Sequence, residues 1–248
     1  MNELEYKKFY ERVGAINGWD FSKVKCVSEG AAWDFYEEVS KRCSHSDHLL
    51  DIGTGGGEAL LTIAEYASHL VGIDNSAGMI ETAKTNLRES GTTNVHFLRM
   101  DAKKLNFPDG HFQIVTCRHS PFCTQEVARV LVKGGLFLTQ QVSEGDKINV
   151  KQAFGRNQSA SPDGTLMNQY MNELRACGFT SVQCSEYDAT EYYETYEDLL
   201  FLLKHTPTIP NFGEDEHDFE ILDRYIKENQ TSKGIETNAK RSMIIAQK

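Results

Sequence analysis

Between positions 51 and 58 the chain reads Asp-Ile-Gly-Thr-Gly-Gly-Gly-Glu, with glycine at 53, 55, 56 and 57. Glycine reaches backbone conformations that a Cβ forbids and lets a ligand approach the main chain closely. The run therefore suits a ligand-cradling turn, although a plain tight turn uses the same residues. Two more carboxylates stand at related points. Asp74 closes the apolar run Leu70-Val-Gly-Ile, with Asn75 behind it. A carboxylate there can accept hydrogen bonds from a pair of adjacent hydroxyls. Asp101 closes Val95-His-Phe-Leu-Arg-Met and is followed by Ala102. That pair can accept from an exocyclic amine and donate a backbone N–H to a ring nitrogen. Arg118 and His119 directly follow the apolar run 112–117. His119 is the candidate general base, or a histidine that lines a pocket. Arg118 suits a carboxylate or phosphate, or a surface ion pair.

These residues need a scaffold, and the hydropathy pattern predicts one. From residue 48 onward, short apolar runs alternate with helical periodicity, which implies a parallel sheet with crossover helices. Strands are expected at 48–52, 70–74, 95–101, 112–117 and 136–142, with helices over 58–67 and 126–132. Ser76 reads as an N-cap for a helix carrying Met79, Ile80, Ala83 and Leu87, ended by Gly91. Thr165 is the expected cap of a helix whose Met167, Tyr170, Met171 and Leu174 form an apolar stripe stopped by Gly178. Further elements are expected at 182–187, 196–204, 218–228 and 241–248. The sites above then fall at the carboxyl ends of adjacent strands, the crevice where open α/β sheets bind ligands.

Composition narrows the function classes. Lys plus Arg is 26 against 36 Asp plus Glu, a formal charge of −10. Such a balance disfavours a phosphate backbone as partner, and no basic cluster offsets it. The six cysteines include no C-x-x-C pair and share no zinc-ligand spacing with the histidines, so no metal site is expected. No apolar run of about 18 residues predicts a membrane span. The charged start of the chain carries no secretory core, and a cytoplasmic location is the expectation.

A dinucleotide is the obvious rival ligand, because it also needs glycines and an acid after the second strand. Its fingerprint is G-x-G-x-x-G/A, with a pyrophosphate on the helix N-terminus. Here Gly53-x-Gly55 is followed three residues on by Glu58, a bulky anion beside the place of that pyrophosphate. S-adenosylmethionine carries an ammonium and a sulfonium and no phosphate, and it suits an acidic turn better. Residues 51–57, Asp74, Met100-Asp-Ala102, Asn106-Phe-Pro-Asp-Gly-His-Phe112 and Arg129-Val-Leu-Val-Lys-Gly-Gly135 resemble, in order, the motifs of class I S-adenosylmethionine-dependent methyltransferases. The resemblance is strong over 46–142 and is nearest to the small-molecule subgroup that includes ubiquinone-biosynthesis enzymes.

That resemblance implies a doubly wound, Rossmann-like, seven-stranded mixed sheet with a reversed last strand and helices on both faces. It implies one domain over 1–248: a helical N-terminal cap at 1–45, a cofactor core at 46–142, and a C-terminal part at 143–248. The last part would include a helical substrate-side insertion at about 195–236, before the final strand. Gly53, Thr54, Gly55 and Gly57 would line the methionine moiety, with Asp51 near its amino group. Asp74 and Asn75 would hold the ribose, Asp101 and Ala102 the adenine. Arg118 would border both cofactor and acceptor. S-adenosylhomocysteine would be the product, and no metal is called for.

The segment 118–122 lacks the Asn/Asp-Pro-Pro-Tyr/Phe motif of methylases acting on exocyclic or amide nitrogens, which points away from those acceptors. A small-molecule acceptor is the main expectation. An RNA methyltransferase and a non-catalytic cofactor-binding protein are the alternatives. Residues 1–45 concentrate aromatic side chains, among them Phe9, Tyr10, Trp19, Phe21, Trp33, Phe35 and Tyr36, and are expected to close over the cofactor. Calorimetry tests the ligand: S-adenosylhomocysteine should bind in the micromolar range, about −8 kcal/mol, and NAD should not bind. Tight NAD binding would overturn the assignment.

Overall fold

The computed structural model describes residues 24–156 and 161–248. One sheet organises the chain. Its strands are β1 (Cys26–Glu29), β2 (His48–Ile52), β3 (His69–Asp74), β4 (Val95–Arg99), β5 (Phe112–Arg118), β6 (Leu131–Val142), β7 (Ser181–Tyr193), β8 (Gln230–Thr231) and β9 (Gly234–Gln247). The spatial order is β1-β7-β9-β6-β5-β2-β3-β4, with β8 paired to β9 alone. Strands β2 to β6 run parallel, while β9 is antiparallel to β6 and to β7. The expected seven-stranded sheet with a reversed last strand is therefore present as β4-β3-β2-β5-β6-β9-β7. Two additions extend it: β1 on the outer edge of β7, and the two-residue β8.

Alternation along the central strands separates two apolar layers. Leu49, Leu70, Ile114 and Leu138 join one cluster with Phe35, Tyr36, Leu60 and Ile80. Their neighbours Leu50, Val71, Val115 and Phe137 join another with Val127 and Leu174. The first layer is covered by α1 (Phe35–Ser40), α2 (Glu58–Thr62) and α3 (Ala77–Ser90), the second by α4 (Thr124–Val130) and α6 (Thr165–Ala176). Strands buried on both faces read as nearly continuous apolar runs, which is why β2, β3 and β5 were visible in the sequence. A third cluster, with Val150, Leu199, Leu203, Leu222 and Ile235, joins α5 (Ile148–Ala153), α7 (Tyr196–His205) and α8 (His217–Asn229) to the far ends of β7 and β9. Helices α7 and α8 form the expected insertion before the last strand.

Several boundaries differ from the sequence-based expectation. The helix expected over 58–67 stops at Thr62 and continues as a 3-10 turn at Ala64–Tyr66. The helix expected over 126–132 ends at Val130, because Leu131 already pairs with Phe112 and a bulge absorbs the residues before Leu136. Thr165 does not cap α6; left-handed Gly164 does. The Thr165 hydroxyl bonds instead to the Pro162 carbonyl. Ser76 and Gly91 do bound α3: the Ser76 hydroxyl accepts from the Met79 N–H, and Gly91 has φ 68°. Residues 26–29 are strand, so the described part of the N-terminal segment is not wholly helical. Phe9, Tyr10, Trp19 and Phe21 lie outside the described residues. No helix among the described residues is long and apolar enough to cross a membrane.

The packing that joins β3 to β4 is tight. A Cβ on Gly72 would lie 2.7 Å from the Phe97 ring and from the Thr54 hydroxyl. Gly72→Ala should therefore lower stability by about 1–3 kcal/mol through overpacking, read by urea denaturation. Phe97→Leu in the same chain should recover part of the loss. An alanine variant as stable as the parent would show that this contact is not limiting.

Candidate functional site

The turn after β2 is built from main-chain hydrogen bonds. The N–H groups of Gly53 and Thr54 both donate to the Ile73 carbonyl, at 2.8 and 3.0 Å, and Gly57 N–H donates to the Thr54 carbonyl at 3.0 Å. Closing so tightly requires left-handed backbone at Gly53 (φ 73°), Gly55 (φ 59°) and Gly57 (φ 77°), where a Cβ is strained. Sterics add a second reason at two of them. A Cβ on Gly53 would meet Ser120 at 2.3 Å, and one on Gly57 would meet Phe97 at 2.3 Å. Nothing lies within 4 Å of a Cβ on Gly55, so the middle of the turn faces open space. Among the described residues the buried Thr54 hydroxyl makes no well-formed hydrogen bond, though it lies close enough to Asp51 to help hold that carboxyl's pKa down.

Asp74 ends β3 beside that space. Its two oxygens accept from Ser76 N–H at 2.8 Å and from Gly55 N–H at 3.2 Å. Two backbone donors fix the carboxylate's direction and leave it lone pairs for a ligand. Partial burial pushes its pKa up. Asn75 is exposed, and its carbonyl accepts from Arg99. Asp101 is exposed two residues beyond β4, with one oxygen accepting from Lys103 N–H at 2.9 Å. Ala102 is half-buried against the second apolar layer. Met100 N–H donates to the Asp74 carbonyl, which ties the two carboxylate positions together.

Asp51 sits at the centre, 1% exposed. Its carboxyl accepts from Thr116 Oγ1 at 2.7 Å and faces the Tyr36 hydroxyl at 3.3 and 3.4 Å. Burial pushes its pKa up to about 6, although the Thr116, Thr54 and Tyr36 hydroxyls and the Arg118 charge act the other way. Thr116 was not singled out in the sequence. Its signal is register: it pairs with Asp51 across β5 and β2.

Arg118 closes β5 and lies over the Tyr36 ring, 5.9 Å from its centroid. His119 leaves the strand with φ 54°, and its N–H donates to the Gln140 carbonyl at 2.8 Å. Its ring reaches Gln140 as well, with His119 Nε2 3.0 Å from Gln140 Nε2. The other end of that amide accepts from the Trp33 indole at 2.7 Å. An indole N–H only donates, so Gln140 turns its oxygen to Trp33 and its NH2 to His119. His119 Nε2 must then accept, which places the ring proton on Nδ1. The histidine is accessible yet densely surrounded by protein, as on the wall of a cleft. That surrounding, followed by Arg241 and Arg118, holds its pKa well below the usual range. The structure thus joins His119 to Trp33 and Gln140, a chain linking three distant sequence positions.

Comparison with known proteins follows this geometry. Residues 49–135 match a family described as a methyltransferase domain. The chain is 37% identical over 103 residues to the uncharacterized methyltransferase YcgJ of Bacillus subtilis, covering 39% of this chain and 41% of that protein. It is 33% identical over 167 residues to the demethylmenaquinone methyltransferase of Lactococcus lactis, covering 62% of this chain and 66% of that protein. The matches thus span from about two fifths to just under two thirds of these relatives' lengths. The crystal structure of the Bacillus YcgJ protein superposes with a TM-score of 0.60 at 22% identity, over 86% of this chain and 97% of that one. The motif order, the β4-β3-β2-β5-β6-β9-β7 sheet and these matches agree in supporting the class I S-adenosylmethionine-dependent methyltransferase superfamily, with residues 49–135 matching its methyltransferase domain.

Proposed function

We propose that this protein transfers a methyl group from S-adenosylmethionine to a small-molecule acceptor. The observation that carries the reading is the row of carboxylates Asp51, Asp74 and Asp101 beside a left-handed glycine turn at successive strand ends. Carboxylates near three successive strand ends suit a ligand rich in N–H and O–H groups and positively charged. The open side of Gly55 fits the same ligand. Gly53, Thr54, Gly55 and Gly57 would line its methionine part, and Asp51 its ammonium. Asp74 and Asn75 would take the ribose, Asp101 and Ala102 the adenine, and Arg118 the border with the acceptor. The domain reading stays one unit over 1–248, with 1–45 as the cap and about 195–236 as the substrate-side insertion. The setting is cytoplasmic, a reading that free thiols at all six cysteines support.

S-adenosylmethionine supplies a methyl group on a sulfonium that leaves as a neutral thioether. The protein's part is then mainly orientation, which can contribute about 7–11 kcal/mol in favourable cases. With Nε2 engaged by Gln140 and the proton on Nδ1, His119 is set to donate a hydrogen bond to the acceptor and not to take its proton. A metal plays no part in this reading.

Two tests follow. Asp74→Ala should weaken S-adenosylhomocysteine binding by about 1.5–3 kcal/mol, and Asp101→Ala by less. Unchanged affinity in a folded Asp74 variant removes the ribose role. Asp51 supplies a pH signature. Its folded pKa of about 6 exceeds the ordinary value of about 3.9, so the folded state keeps a proton that the unfolded state loses in that window. Stability should fall as pH rises from about 4 to about 6 and level off above. A bound ammonium favours the ionised carboxylate, so affinity should rise across the same window as the proton is expelled. Asp51→Asn should flatten the Asp51 step in both profiles and weaken binding at pH 7 by roughly tenfold or more. Identical pH profiles in parent and variant would remove Asp51 from the ammonium site.

A further inference from the structure

The face of the sheet that carries Asp51 also carries a set of hydrogen-bond donors that the described residues leave largely unused. Register brings them together. Arg118 pairs with Gln140, Gln140 with Met243, and Tyr187 with Arg241, two residues from Met243 along β9. Partners across a ladder share a face, and so do residues two apart. Arg118, Gln140, Arg241 and Tyr187 therefore project to the same side. His119 would face the opposite side if the strand continued. Its left-handed backbone and its ring bond to Gln140 return it to this one.

The donors are largely unused. The Arg118 side chain makes no hydrogen bond or ion pair among the described residues; it lies over the Tyr36 ring, and its charge reaches Asp51. Among the same residues Arg241 spends only Nη1, on Asp146 and on the Lys240 carbonyl. The Tyr187 hydroxyl makes no hydrogen bond among them, and its ring stands edge-on to Trp33 at 4.6 Å. The proton placed on His119 Nδ1 likewise has no acceptor among the described residues. The carboxylates on the same side are already engaged. Asp146 takes Arg241 and Lys240 N–H, Glu191 takes Lys147 and Tyr193, and Asp51 takes Thr116 and Tyr36. In a chain of formal charge −10, an exposed guanidinium with its N–H groups free of protein acceptors among the described residues suits an anion from outside.

We propose that Arg118, Arg241, Tyr187 and the His119 Nδ1–H form an oxyanion subsite, and that the methyl acceptor carries a carboxylate or phosphate on a flat apolar body. Calling that ligand the acceptor rests on the methyltransferase reading; the subsite itself does not. Trp33 and Tyr187 supply the flat wall. The competing claimant for Arg118 is the carboxylate of the cofactor's own methionine moiety.

Binding to the full chain separates these cases. Benzoate, phenyl phosphate and the neutral benzyl alcohol are titrated with and without saturating S-adenosylhomocysteine, against the parent and Arg118→Gln, with folding checked by circular dichroism. An anionic probe should bind about tenfold or more tighter than benzyl alcohol. Arg118→Gln should cost that probe about tenfold while leaving benzyl alcohol within roughly twofold and costing S-adenosylhomocysteine far less than the anion. Tyr187→Phe should weaken the anion by a smaller factor. The better of benzoate and phenyl phosphate identifies the carboxylate or the phosphate. Equal binding of alcohol and anions overturns the subsite. So does an Arg118→Gln variant that loses S-adenosylhomocysteine as strongly as the anion, because Arg118 then serves the cofactor. If S-adenosylhomocysteine binds and no anion does, the subsite alone falls. If Arg118-dependent anion binding persists and S-adenosylhomocysteine never binds, the subsite stands and the methyltransferase reading falls.

Discussion

Near the end of β2, Asp51 holds its carboxyl almost entirely out of water, and an ionised group in that position costs several kcal/mol unless donors or a cation compensate. Thr116 and Tyr36 compensate in part, which is why the pKa settles near 6 instead of higher. Each of those partners requires its own element. Thr116 needs β5 in register with β2, and Tyr36 needs α1 packed on that face, its ring in the same apolar cluster as Leu49 and Leu138. The Gly53–Gly57 turn must then leave the strand sharply enough to keep the space beside Asp51 clear. Sheet, helix and turn are thus arranged around one unsatisfied charge.

That arrangement also decides what was legible in the sequence. The β2 turn, Asp74, the Ser76 cap and Gly91 are local devices, each set by a residue and its near neighbours, and they read directly. The ends of α2 and α4 did not, because the turn at Ala64 and the bulge opposite Phe112 depend on neighbours far along the chain. Strand β1 was missed for a plainer reason: all four of its residues are exposed, so it has no alternation to detect. Strand β7 is longer than its polar sequence suggests because it pairs with β9 over its whole length.

The site divides along the same line. Carboxylates at strand ends are positions that the strand pattern itself locates. Gln140, Tyr187 and Arg241 have no such mark, since each lies inside a strand whose register only the folded sheet sets. Trp33 stood out as an aromatic, but its role as the donor that orients Gln140 needed the structure. Local chemistry was written in the sequence, and the cluster of Arg118, Gln140, Tyr187 and Arg241 was written in the pairing of β5, β6, β9 and β7.

The third apolar cluster has a wider consequence. Its members from α5, α7 and α8 pack among themselves and against the distal ends of β7 and β9, and share no residue with the two clusters around the cofactor turn. Cooperative units tend to follow such boundaries. Amide exchange in the α7–α8 region can therefore proceed by sub-global opening while β2 to β5 stay protected. The same separation gives heritable variation somewhere to act: substitutions that reshape the insertion leave the glycine turn and its carboxylates mechanically undisturbed, so one scaffold can change at α7 and α8 without rebuilding its carboxylate-bearing half.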